Sequence, residues 1–167
     1  MAGKCLGGTT IAASQGVIVL ALAGVVHVPY DPMLLFGILG LELLIAFTVT
    51  AFGVMVATSI KQAQTFTSVV QLLVMPMIFL SGALYPVSGL PTWLRVLNRL
   101  NPLTYAVDPM RRLVFDHLDI SDAARRRLAP GVTWWGWRVP SLAEAGIVLA
   151  GGVAMLTVAI FKFTRTE

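Results

Sequence analysis

Glu42 is the residue whose type and position point most directly to chemistry. It is the one ionisable side chain in an apolar run from Met33 to Ile60, and a carboxylate inside such a run is by default a functional-site candidate, because removing it from water is costly. At 1.5 Å per residue it lies about 14 Å along a helix starting at Met33. Two roles fit: a structural partner for an arginine or hydroxyl on a neighbouring helix, or a polar group on a transport path. Gln71, inside a second apolar run, is the other candidate of this kind. Arg111 and Arg112 divide similarly between binding anionic headgroups and lining an exit path. Catalytic arrangements are missing. Gly3-Lys4-Cys5 lacks the upstream glycine and the hydroxyl of a phosphate-cradling GxxxxGK loop. Ser81 in Phe79-Leu80-Ser81-Gly82 has no flexible glycine ahead of it and no histidine within an apolar run to act as its base. His27 and His117 have no cysteine or second acid at metal-ligand spacing. The chain reads as a non-enzyme that binds no metal or cofactor of its own.

The elements that must hold these residues are membrane helices. Hydrophobic residues make up 57% of the chain and charged residues 12%, against roughly 45–50% and about 25% in soluble domains. The mean hydropathy is +0.83. The single cysteine, Cys5, excludes an internal disulfide. The net charge of +4 does not point to nucleic acid, because no basic run is interleaved with stacking aromatics; lipid headgroups are the expected counter-ions. Four spans are expected, over about 5–26, 33–60, 65–85 and 141–161, each close to or above the roughly 20 helical residues that cross a hydrocarbon core. For the first, a signal peptide ending near Ala21-Leu22-Ala23 is the rival reading, opposed by Thr9, Thr10, Ser14 and Gln15 within the run. Gly8, Ala12 and Gly16, each four apart, predict a face that another helix approaches closely; Gly146, Ala150 and Ala154 do the same in the last span. Pro76 predicts a kink in the third.

Between the third and fourth spans lies an external segment, 86–140. It opens with two short helices in tandem, expected at Pro91 to Leu100 and Pro102 to Leu118, with Asn101 as N-cap and Pro102 in the first turn of the second. On a helical wheel Trp93, Leu94, Val96, Leu97 and Leu100 share one side of the first, and Arg95, Asn98 and Arg99 the other. Such a helix lies in an interface, with Trp93, Leu97, Arg95, Arg99, Tyr105 and Arg111 as candidate residues of an external cap. Trp93 and Tyr105 read as interface anchors, and Trp134, Trp135 and Trp137 as an aromatic belt before the last span. The fold class is an all-α integral membrane protein: a single transmembrane domain over 1–167, with about four transmembrane helices plus two short interfacial or re-entrant helices between the last two.

The series Phe79-Leu-Ser-Gly-Ala-Leu-Tyr-Pro86, then Leu90-Pro-Thr-Trp-Leu-Arg-Val-Leu-Asn-Arg-Leu-Asn-Pro102, then Leu103-Thr-Tyr-Ala-Val-Asp-Pro-Met-Arg-Arg-Leu-Val-Phe115 resembles the carboxy-terminal part of the membrane subunits of type-2 ABC exporters, closest to the drug-resistance and nodulation-factor branch. The Gly3-Lys4-Cys5-Leu6-Gly7-Gly8 start and the spacing of the spans fit it too. The resemblance implies the permease subunit of an ATP-driven exporter, multi-pass in the cell (plasma or inner) membrane of a bacterium, forming the efflux path for a drug, lipid or glycan. It implies a homodimer paired with ATP-binding cassette ATPase subunits that hold and hydrolyse ATP, with Lys61, Gln62 and Gln64 as cytoplasmic contacts. It further implies an interfacial helix, two spans and a coupling helix ahead of the position matching Gly3. A stand-alone channel, ion-coupled carrier or membrane scaffold is the alternative, although no internal repeat of the carrier type is present.

Orientation sets charge counting against the resemblance. Arg95, Arg99, Arg111, Arg112, Arg125, Arg126, Arg127 and Arg138 all fall in segment 86–140, which a plain positive-inside count would keep in the cytoplasm. The resemblance puts that segment outside, with Lys4, Lys61, Lys162 and Arg165 inside. Arginines of an interfacial helix reach headgroups in either leaflet, and Asp108, Asp116, Asp119 and Asp122 dilute the count, so the expectation follows the resemblance.

Overall fold

Asp31 sets the start of the central helix. Its backbone is extended (φ −80°, ψ 123°) and its carboxylate accepts the Met33 N–H at 2.8 Å, while Pro32 fills a first-turn position that needs no donor. In the computed structural model, which describes residues 2–23, 31–60, 62–84, 91–118, 121, 123–124, 128–129, 131–134 and 137–164, this helix α2 runs Pro32–Ala57. Before it comes α1 (Ala2–Ala23), and after it α3 (Ala63–Leu80), α4 (Thr92–Leu100) and α5 (Thr104–Asp116). A two-strand antiparallel hairpin follows, β1 (Thr133–Trp134) with β2 (Trp137–Arg138), paired Thr133 to Arg138 and Trp134 to Trp137. The last element is α6 (Ser141–Thr164). Helix α2 packs against α1, α5 and α6, and α3 lies at the edge, with no residue buried.

Among the described residues three helices, α2, α3 and α6, are long and apolar enough to cross a membrane. Their outward side chains are strongly exposed, Leu142 at 88% and Phe36 at 75%, an arrangement suited to lipid and costly in water at about 25 cal/mol per Å² of apolar surface. The chain is an all-α, multi-pass membrane protein with one small hairpin added. The first expected span forms as helix α1, apolar over its described stretch Leu6–Leu22, where Thr10 and Ser14 turn their hydroxyls to the carbonyls of Leu6 and Thr10. The expected loops at His27 and Tyr85 lie outside the described residues, as do Lys61, Trp135, Arg165 and most of the polar segment from Asp119 to Arg127.

Close approaches set the helix rotations. Gly8 of α1 faces Thr50, and Gly16 faces the carboxylate of Glu42, so the four-residue spacing in α1 is a packing face. In α6 the small residues Gly146, Ala150 and Ala154 are exposed, and Glu144, Val148, Gly152 and Ala159 turn inward instead. A carboxylate at Glu144 cannot face lipid, and on a 100° wheel that choice sends Gly146, Ala150 and Ala154 to the far side. At Gly152 a side chain would begin 2.8 Å from Thr48 Oγ1, and that hydroxyl reaches the carbonyls of Leu44 at 2.9 Å and Val148 at 3.2 Å, bridging α2 and α6. Lys162 Nζ donates to Ser59 Oγ at 2.9 Å and joins the same two helices at their other end.

The tandem helices are both present and start later than expected. Pro91 occupies the cap position of α4, and Asn101-Pro102 form the turn, where Asn101 Oδ1 accepts the Leu103 N–H at 3.1 Å. Pro102 and Leu103 line an apolar cavity of about 230 Å³ together with Thr48, Phe52 and Met155. Thr48 lies about 24 Å along α2 from Pro32; the turn therefore dips well between the spanning helices.

Gly152→Leu should lower stability by about 1–3 kcal/mol through overpacking, whereas Gly146→Leu, which has open space around it, should be near neutral. Thermal unfolding of the two purified variants checks this; equal behaviour would contradict the rotation of α6.

Candidate functional site

Where α5, α6 and the hairpin meet, three charged side chains are buried together. Arg112 pairs with Asp108 one turn earlier on α5 and with Glu144 of α6 at 2.7 Å, and it donates to the carbonyl of Val139 at 2.9 Å. Asp108 also accepts the Val132 N–H at 3.1 Å. Glu144 is fully buried, and the Asp108 and Arg112 side chains are 10% and 11% exposed. One guanidinium thus ties α5 to α6 and to both approaches to the hairpin. A planar fork of donors suits this task, since an ammonium could not bridge two carboxylates and a carbonyl with fixed geometry. The match is incomplete: Arg112 Nε and Glu144 Oε2 are buried without a hydrogen-bond partner. An open cavity of about 410 Å³ adjoins Arg112, between Asp116, Arg138 and Ser141.

The second constellation closes the end of α3. The last carbonyls of a helix have no partner within it. Asn98 of α4 donates to the carbonyl of Leu80, Asn101 to that of Met77 at 2.6 Å, and Ser81 Oγ to that of Ile78 at 2.7 Å. Arg111 of α5 donates to the carbonyl of Gly82. Burial pushes the Arg111 guanidinium below its ordinary pKa, and the nearby Asp108 partly restores it. Thr104 Oγ1 donates to the carbonyl of Asn98 at 2.7 Å, and Tyr105 OH to that of Arg99 at 2.7 Å, locking α4 against α5. Trp134 Nε1–H in turn donates to Tyr105 OH at 2.9 Å, with the rings edge to face. At the outer end of α5, His117 Nε2 stands 3.8 Å from the Asp31 carboxylate that caps α2.

These arrangements revise several expectations. Tyr105 is not an interface anchor: it is 4% exposed and belongs to the core with Ala106, Val132, Val139 and Val148. Arg111 and Arg112 are taken up by internal partners, because a buried guanidinium keeps its charge and must be satisfied in place; neither reaches out as a headgroup ligand. On α4 the expected two-sidedness is present with its direction set: Trp93, Val96, Leu97 and Leu100 face outward, Asn98 is buried, and Arg95 and Arg99 line an inner cavity of about 210 Å³. Glu42 lies on the seam between α1 and α2, against Gly16. Gln71 is exposed on α3, so the two polar residues of the spans are not brought together. Gln62 and Gln64 are exposed at the opposite end of the bundle from the hairpin. Of the triad's other members, Glu144 stands in the sequence as the one ionisable residue of the apolar run 141–161, and Asp108 and Arg112 stand four apart, the spacing of a helical ion pair.

A bundle of apolar helices holding a buried ionic clasp and a dipping helical pair defines an all-α membrane-embedded protein. The chain belongs to the ABC-2 type transporter family, whose sequence profile matches residues 1–115. It is similar to a Cyanophora paradoxa protein that carries the provisional name transport permease ycf38, at 34% identity over 70 residues. That match covers 42% of this chain and 24% of the relative, so the shared stretch spans about a quarter of the relative's length. No solved structure matches the chain.

Arg112→Leu should cost about 3–5 kcal/mol, because it strands two buried carboxylates. The double variant Arg112→Leu/Glu144→Leu should be less destabilised than Arg112→Leu alone, as expected of directly coupled groups. A double-mutant cycle of thermal midpoints reads the coupling, and additive effects would mean that the pair does not clasp α5 to α6.

Proposed function

We propose that this chain is the pathway-forming part of an exporter's membrane subunit, working as a homodimer with ATPase subunits that bind and hydrolyse ATP. The observation that carries this reading is helix α3. It is long and apolar enough to span, it has no buried residue, and Gln64, Thr67, Ser68 and Gln71 are all exposed on it. At 100° per residue these four fall within one arc, opposite Leu73, Met77 and Leu80, the last three of which line a cavity against α4 and Met155 of α6. Thr67 and Ser68 turn their hydroxyls to the carbonyls of Ala63 and Gln64, which leaves the side-chain amide of Gln71 as the group that is costly against lipid. Facing a second copy across a hydrated path, it is satisfied. The α4–α5 pair then closes one end of that path, and the end bearing Gln62 and Gln64, next to Lys61, receives the ATPase. An amphipathic drug, lipid or glycan conjugate suits such a path, which has polar residues at one end of α3 and Met75 and Ile78 at the other.

The full-length subunit in native membranes should form a disulfide-linked dimer through Gln71→Cys and none through Leu142→Cys, a lipid-facing position. An ATP-binding cassette protein should also be retrieved with it in a detergent pull-down. Monomer alone from Gln71→Cys, or a pull-down without such an ATPase, contradicts the proposal.

The orientation that goes with it puts the hairpin and the α4–α5 pair outside the cell, in the plasma membrane of a bacterium. A cysteine at Ser121 should react with an impermeant thiol reagent added to intact cells. Labelling only after the membrane is opened would reverse the topology.

A further inference from the structure

Two adjoining cavities open along α4, neither of them part of the proposed path. Arg95 and Arg99 line the 210 Å³ cavity with Asn98, Thr104, Asp108 and Thr133. Next to it an apolar groove of about 270 Å³ runs between Val96, Leu100, Tyr105 and Trp134, and Arg99 stands at its edge, lining both. Asn98 and Thr104 are engaged with the carbonyls of Leu80 and Asn98. Asp108 is held by Arg112 and the Val132 amide. Two guanidiniums one helical turn apart thus line the cavity against the single carboxylate of Asp108, which shares Arg112 with Glu144.

We infer that this joined cavity and groove hold one anionic phospholipid, its phosphate-bearing headgroup between Arg95 and Arg99 and an acyl chain along Val96, Leu100 and Trp134. Guanidinium forks match phosphate oxygens in pairs. A charged pocket that continues into an apolar slot suits a molecule with a charged head and an aliphatic tail, which inorganic phosphate alone would leave half unfilled. The source of such a molecule is at hand, since the outward stripe of Trp93, Leu97 and Leu100 is 42–75% exposed where α4 meets the bilayer. Bound there, the lipid joins α4 to the hairpin through Arg99 and Trp134 and becomes a structural part of the cap. The inference rests on the membrane embedding of α4 and is independent of whether α3 lines a path.

The test uses the full-length subunit purified in detergent and exposed to equal amounts of phosphatidylglycerol and phosphatidylcholine, with retained lipid counted by native mass spectrometry. Phosphatidylglycerol should be retained over phosphatidylcholine, and Arg95→Gln and Arg99→Gln should each lower its retention about fivefold, the share expected of one basic residue at an anionic lipid. Lys162→Gln, at the other end of the bundle, should change nothing. Millimolar inorganic phosphate should not displace the lipid. Equal retention of the two lipids, wild-type retention by the double arginine variant, or full displacement by inorganic phosphate would each overturn the inference, the last by showing that the site takes a free phosphate. Should an arginine variant fail to accumulate, Val96→Glu decides: the position is 50% exposed, so the fold should persist while phosphatidylglycerol is lost, and unchanged retention would again overturn the inference.

Discussion

Everything at the hairpin end of this bundle depends on where one guanidinium finds its acceptors. Taking Arg112 out of water costs several kcal/mol, and so does each carboxylate that accompanies it. The arrangement holds because a single planar group reaches Asp108 on its own helix, Glu144 on α6 and the Val139 carbonyl beside β2. Two acids against one base leave the cluster short of complete pairing, as the unpartnered Glu144 Oε2 records. An unsatisfied buried group costs about 1–3 kcal/mol. A cluster like this is poor material for raw stability, but it specifies position: α5 and α6 have one rotation and one register in which the three charges meet.

The same need for partners explains the polar side chains of α4 and α5. The last carbonyls of a helix have no partner within it, and α3 ends where α4 turns back on it. Asn98, Asn101, Ser81 and Arg111 are spent on those carbonyls. This is why the buried side of α4 is its polar side, the reverse of a helix on a soluble protein. Tyr105 has a similar double use, with an apolar ring in the core and a hydroxyl joining the Arg99 carbonyl to the Trp134 indole. The dipping pair is thus held by hydrogen bonds along its length and by the ionic clasp at its outer end.

Much of this was legible in the sequence because it depends on runs and on local spacing. Apolar length marked α2, α3 and α6, proline and asparagine marked the break between α4 and α5, and the four-residue glycine spacing marked the side of α1 that meets α2. The clasp was not legible. Arg112 and Glu144 are 32 residues apart, and nothing in either neighbourhood says that two separately unfavourable charges neutralise each other. The α6 glycine and alanines misled for the same reason: small residues permit close approach, but the rotation of α6 was decided by a carboxylate that had to turn away from lipid. Tyr105 reads equally well as an anchor or as core until the depth of its helix is known. Lys61 and the polar segment after α5 remain expectations of the sequence alone.

The order of these partners along the chain has a consequence for biosynthesis. Arg112 and Asp108 leave the ribosome before Glu144, so the dipping pair is made while one acceptor for its guanidinium does not yet exist. Until α6 enters the bilayer, Arg112 retains only the aspartate on its own helix, and driving that charge among α2 and α3 is unfavourable. Insertion of α6 brings the missing carboxylate alongside, and seating of α4 and α5 becomes coupled to arrival of the final span.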